Sequence, residues 1–166
     1  MIRPVHDADA SAIADIYNHY IRDTVISFEE TEIDTAQIRA RLGKIADAGL
    51  PWLVAEDNSK LLGYAYAAPW HARSAYRFAV EVTVYLAADA GGRGLGTALY
   101  RALFRELELR GIHTAIGCIA LPNPASVALH EKLGMRKIGH FAEVGYKFGQ
   151  WLDVGYWQII LQPRTP

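Results

Sequence analysis

Apolar positions along this chain recur with two periods, and each period marks one kind of element. Ile13, Ile16, Tyr17, Tyr20 and Ile21 fall on one face of a helix that Asp9 or Ser11 starts. Ile38, Leu42 and Ile45 do the same for a second helix, opened by Asp34 and Gln37 as a capping box and ended by Gly49. Between these helices, Thr24 to Glu30 has no clear period. Ile2 to Val5, Trp52 to Glu56 and Leu61 to Ala68 read as strands, the last two joined by a turn at Asp57-Asn58-Ser59-Lys60. An aromatic and basic loop, Pro69 to Arg77, leads into a β-branched strand from Val80 to Leu86.

Four glycines then fall within six residues, Gly91-Gly92-Arg93-Gly94-Leu95-Gly96. A long amphipathic helix follows, with Leu95, Ala98, Leu99, Ala102, Leu103 and Leu107 on its inner face and Gly111 as its stop. His113 to Leu121 is an apolar strand. Asn123-Pro124 reads as cap and first residue of a short helix that Gly134 closes. Arg136 to Leu161 reads as two strands joined near Gly145 to Gln150. The order predicts one domain over residues 1–166, of the α/β (α+β) class with a mixed sheet. The long helix between the Val80 and His113 strands makes that pair parallel.

Bulk properties narrow the function. Apolar residues make up 51% of the chain and charged ones 21%, ordinary for a globular protein. A net charge of −1 provides no basic field, so neither nucleic acid nor an anionic membrane is expected as a partner. The first ten residues carry no long apolar run, so no secretory leader is expected, and nothing reaches the length of a membrane span. The single cysteine, Cys118, allows no intrachain disulfide, suits the cytoplasm, and sits in an apolar strand where packing is its expected role. The six histidines lack metal-site spacing, so no metal is expected.

A strand, a glycine-rich turn and a helix N-terminus together favour an anion, because free N–H groups and the helix dipole converge there. The dinucleotide pattern does not fit. Counting from Gly92 its third glycine would be Thr97, counting from Gly94 it would be Leu99, and the next strand holds no acid. A nucleoside-triphosphate loop fails too, since Thr97-Ala98 stands where Lys-Ser/Thr is needed. Upstream, Glu81 shares a strand face with Ala79, Thr83 and Tyr85. A carboxylate in so apolar a segment is solvated, paired (with Arg73 or Arg77 for instance), or raised in pKa towards that of a general base.

The loop resembles the coenzyme A pyrophosphate loop of the GCN5-related N-acetyltransferases (GNAT), whose pattern is Gln/Arg-x-x-Gly-x-Gly/Ala. Gly94 and Gly96 match its glycines, while Gly91 occupies the Gln/Arg slot. Asn123-Pro124-Ala125-Ser126 through His130 to Gly134-Met135 resembles the second signature of that superfamily. His130 stands where many relatives have a tyrosine near the thioester sulfur. Trp70, Arg73, Ala75-Tyr76-Arg77, Glu81 and Val84-Tyr85, with Phe28-Glu29-Glu30 and the stretch Gly145 to Asp153, resemble the phosphinothricin / methionine sulfoximine N-acetyltransferase branch.

The resemblance implies the GNAT fold, a mixed sheet of six or seven strands flanked by about four helices. It implies acetylation of the α-amine of a small amino-acid-like substrate, with acetyl-CoA as co-substrate, in a homodimer. Coenzyme contacts are then expected from Val84, Tyr85, Leu86, Gly92, Arg93, Gly94, Leu95, Gly96, Thr97, Asn123, Ser126 and Lys132. Glu81 is the expected base, and His130 could return a proton to the sulfur. Phe28 and Glu29 with Arg73, Tyr76 and Arg77 are the expected substrate contacts, the arginines clamping a carboxylate or phosphinate. Two alternatives stay open: an acetyltransferase for another amine (peptide N-terminus, polyamine, antibiotic), and a non-catalytic acyl-CoA sensor.

Overall fold

The computed structural model describes residues 1–162; residues 163–166 lie outside the described part. Seven strands form one sheet: β1 (Ile2–Pro4), β2 (Trp52–Asp57), β3 (Lys60–Pro69), β4 (Ala79–Leu86), β5 (Thr114–Leu121), β6 (Arg136–Lys147) and β7 (Gln150–Ile160). Four helices cover it: α1 (Ala10–Asp23), α2 (Thr35–Asp47), α3 (Leu95–Leu109) and α4 (Pro124–Lys132). The spatial order is β1-β2-β3-β4-β5-β7-β6. Among the described residues only β4 and β5 run parallel, as the helix between them requires.

The strand period of two sorts side chains into two cores. Leu53 and Ala55 of β2 bury against the α3 side with Leu99, Leu103 and Leu107, while Trp52 and Val54 bury against α1 and α2 with Ile13, Ile38 and Leu42. Truncating a fully buried leucine such as Leu103 to alanine would cost about 2–5 kcal/mol.

Helix ends follow the sequence closely. Asp34 Oδ1 accepts from Gln37 N at 2.8 Å, and Gln37 Oε1 accepts from Asp34 N at 2.8 Å, completing the capping box. Asn123 Oδ1 accepts from Ser126 N at 3.1 Å and caps α4. Asp9 opens α1 without capping it, because its carboxylate is taken by Arg3 at 2.9 Å and by the His6 N–H. No helix among the described residues is long and apolar enough to cross a membrane.

Candidate active site

The parallel pair β4–β5 is hydrogen-bonded only from Ala79↔Thr114 to Val82↔Gly117. Beyond that rung β4 stays paired to β3 as far as Leu86, and β5 stays paired to β7 as far as Leu121. The sheet therefore opens into a wedge between two strands that are each anchored on their far side. Val82 to Tyr85, Cys118 to Ala120, Tyr100, Asn123, Ser126 and His130 line it.

The glycine loop lies beyond the end of β4. Gly92 and Gly94 both have φ of 75°, a conformation that costs an L side chain about 1–2 kcal/mol. Gly94 is the N-cap of α3, and no side chain caps this helix, unlike α2 and α4. The first helical bond runs from Ala98 N to Gly94 O, so Leu95, Gly96 and Thr97 keep N–H groups without helical acceptors. With no acid in the first turn, this end of α3 suits an anion such as a pyrophosphate. Gly96 lies inward, where a Cβ would sit 3.1 Å from Leu129 of α4, so its glycine serves packing. Arg93 is exposed in the loop, and Lys132 is exposed at the opposite end of α4 from Asn123. Of the expected strand contacts, Leu86 is already engaged by the Tyr20 hydroxyl, which donates to its carbonyl at 2.7 Å.

On the same side of the sheet as α1, a cavity of about 600 Å³ is lined by Phe28, Glu29, Tyr66, Glu81, Tyr85, Cys118 and Tyr156, among others. Glu81 lies within the last paired stretch before the wedge, opposite Ala68 of β3 and Ile116 of β5. Among the described residues it has neither a side-chain hydrogen bond nor an ion pair, so the pairing with Arg73 or Arg77 is not formed. Burial pushes its carboxyl above the ordinary value, and the nearby His71 charge only partly opposes this. A partly buried, unpaired carboxylate facing a cavity has the properties of a general base.

Glu29 faces the same cavity, with one carboxylate oxygen 2.5 Å from Arg41 Nη2 and the other buried without a partner.

His130 lines the wedge, where its neighbours fix the ring. It is 3% exposed, and its Nδ1 lies 2.7 Å from the Ser126 carbonyl, which can only accept, so Nδ1 carries the proton. Nε2 is then the acceptor, facing the Tyr100 hydroxyl at 3.2 Å. Burial lowers the imidazole pKa, which favours the neutral ring, and the bond to the Ser126 carbonyl only partly opposes this. A histidine whose Nδ1–H is spent on a backbone carbonyl is better placed to hold α4 in position than to give up that proton.

Arg73, Tyr76 and Arg77 do not join Phe28, Glu29 and Glu81. They line a separate groove of about 530 Å³ with His71, Phe78 and Arg110. A single 3₁₀ turn at Ser74–Tyr76 carries them aside, and Arg77 folds back to donate to Ser74 O at 3.1 Å and to stack on Phe78. Cys118, expected to pack, instead has its side chain in the cavity, and burial raises its pKa, the opposite of what a nucleophilic thiol needs. Tyr66, Tyr156 and Tyr100 were not expected at the site. The two-residue period shared by Cys118 with Ala120, and by Val154 with Tyr156, was the available signal.

Comparisons with known proteins show which family and fold the chain shares. The profile of the acetyltransferase (GNAT) family matches residues 13–135. The chain is 45% identical to phosphinothricin N-acetyltransferase of Alcaligenes faecalis over 155 residues, covering 92% of this chain and 78% of that protein. It is 37% identical to the L-methionine sulfoximine/L-methionine sulfone acetyltransferase of Pseudomonas aeruginosa, covering 98% and 95%. A Salmonella typhimurium acetyltransferase structure solved with its cofactor acetyl-CoA superposes with a TM-score of 0.96 at 34% identity, covering 100% of this chain and 96% of that one.

Proposed function

This chain belongs to the acetyltransferase (GNAT) family, and we propose that it uses acetyl-CoA to acetylate the α-amine of small amino acids of the phosphinothricin or methionine sulfoximine type. The observation that carries the proposal is the position of Glu81, unpaired and facing a cavity beside the wedge between β4 and β5.

Acetyl-CoA supplies the acyl group as an activated thioester. The N–H groups from Gly92 to Thr97 hold its pyrophosphate. Val84 and Tyr85 form one wall for the pantetheine, and Asn123 and Ser126 form the other. Arg93 adds positive charge beside the loop, while Lys132, at the far end of α4 from Asn123, stands apart from the wedge. Glu81 removes a proton from the substrate ammonium, since only the free amine is a nucleophile. The C–N bond forms as the C–S bond breaks. A thiol is a far stronger acid than an alcohol (pKa about 8.5 for the cysteine side chain), so the thiolate leaves without an acid catalyst and solvent rather than His130 supplies its proton. Phe28 and Glu29 wall the acceptor side. Within one chain Arg73, Tyr76 and Arg77 make no contact with that cavity.

A homodimer is part of the proposal. Ile138, Phe141, Val144, Tyr146, Phe148 and Trp151 are each more than half exposed, and all lie on the hairpin that ends the sheet at β6. An apolar edge of that length is covered in stable proteins, and a second copy is the simplest cover. A cytoplasmic setting is supported by the unpaired thiol of Cys118 and by the need for an acyl thioester.

The decisive experiment follows thiol release from acetyl-CoA with phosphinothricin, methionine sulfoximine, free amino acids, polyamines and short peptides. Turnover confined to the small amino acids is the expected result. Turnover only with polyamines or peptides would overturn the substrate assignment, and coenzyme binding without turnover on any amine would indicate a sensor.

A further inference from the structure

Lys147, near the end of β6, is 1% exposed, and no carboxylate lies within hydrogen-bonding reach of it among the described residues. Its ammonium donates to two main-chain carbonyls instead, Ile21 O at 2.7 Å and Ser27 O at 2.7 Å. The first is in the last turn of α1, where the negative end of the helix dipole favours a cation. The second belongs to the segment after α1, which has neither helix nor strand hydrogen bonds to fix its shape.

That segment is one wall of the acceptor cavity, contributing Ile26, Ser27, Phe28 and Glu29. Lys147 thus spans it, gripping the chain before and within the wall. Gly145, two residues earlier on the same face of β6, supplies the room. A Cβ there would come within 2.3 Å of the Phe28 ring. Tyr17 adds a third tie, its hydroxyl 2.9 Å from Ser27 Oγ.

We infer that Lys147 is a positioning residue for the acyl acceptor: it holds the Ser27–Glu29 wall in register with Glu81 while touching no substrate. The inference rests on the acetyltransferase reading for its kinetic consequence, but not for its structural one. It gives the Gly145–Lys147 part of the hairpin a task, because that stretch shapes the amine site from the opposite end of the chain.

Lys147→Met keeps the stem and deletes the donors. Its KM for the amine should rise about tenfold or more, with kcat and the KM for acetyl-CoA within about twofold of wild type. Gly145→Ala, which displaces Phe28 while leaving Lys147 intact, should give the same split. Amide exchange, read without any substrate, should speed up at residues 24–30 and stay unchanged in α3. An unchanged amine KM with unchanged exchange at 24–30 would overturn the inference, as would equal losses for both substrates with faster exchange throughout. If the Lys147 variant does not fold, Gly145→Ala decides by the same readings. Should wild-type protein release no thiol with any amine, the transferase reading fails alone, and the exchange pattern still decides the role of Lys147.

Discussion

The Tyr100 hydroxyl lies 3.2 Å from His130 Nε2 and 3.3 Å from the Val82 carbonyl, so α4 and the rung where the sheet opens share its single proton. With Nδ1 donating to Ser126 O, each ring nitrogen faces a partner and the ring is held in place. Tyr100→Phe would leave Nε2 and the Val82 carbonyl short of a donor in a buried setting, at a cost of about 1–3 kcal/mol. We expect a lower melting temperature, with kcat changed less than about threefold. A loss of a hundredfold or more in kcat at intact stability would restore the pair to the chemistry.

Glu81→Gln should lower kcat by about 10²–10⁴ and leave acetyl-CoA affinity unchanged, as measured by steady-state rates and calorimetry. Because burial raises the Glu81 pKa, wild-type activity should fall as pH drops through a value above the ordinary carboxylate range. Stability runs the other way. A raised folded-state pKa favours the native state below the unfolded value, and this contribution is lost as pH rises through the folded one. Glu81→Gln should therefore be more stable than wild type at neutral pH, with the advantage shrinking towards acid in pH-dependent melts.

Gly94→Val places a β-branched residue at a φ of 75° in the loop that faces the coenzyme. The strain alone is about 1–2 kcal/mol, and the side chain would fill space an incoming pyrophosphate needs. Coenzyme affinity measured by titration should be lost. Gly91→Ala is the control. Gly91 has ordinary φ and nothing within 4 Å of an added Cβ, so stability should shift by less than about 0.5 kcal/mol and affinity should hold.

Trp151 is 62% exposed and packs its ring against Tyr146, 4.8 Å away between centroids. If this hairpin is the homodimer face, Trp151→Arg should give a monomer in sedimentation velocity while the far-ultraviolet spectrum stays native. A variant that sediments like wild type would move the interface elsewhere.

Local order was legible in the sequence because it depends on near neighbours. The Ile13–Ile21 stripe, the Asp34–Gln37 box, the Asn123 cap and the glycine stop at Gly111 are written in residues a few positions apart, and all are present. So is the parallel β4–β5 pair, which the length of α3 imposes. Glu81 stood out as an acid among β-branched neighbours, and it has no ionic partner among the described residues.

What the chain alone left open was decided by neighbours far away in sequence. Periodicity assigns a side chain to a face but does not say what covers that face. Strand β7 lies between β5 and β6, which brings Tyr156 beside Cys118. A single turn carries Arg73 and Arg77 out of the Glu81 cavity. The Ser126 carbonyl fixes the His130 tautomer, and Lys147 reaches back across more than a hundred residues to hold Ser27. Each outcome is a matter of where a buried polar group finds its partner, and that is settled only once the sheet has closed around it.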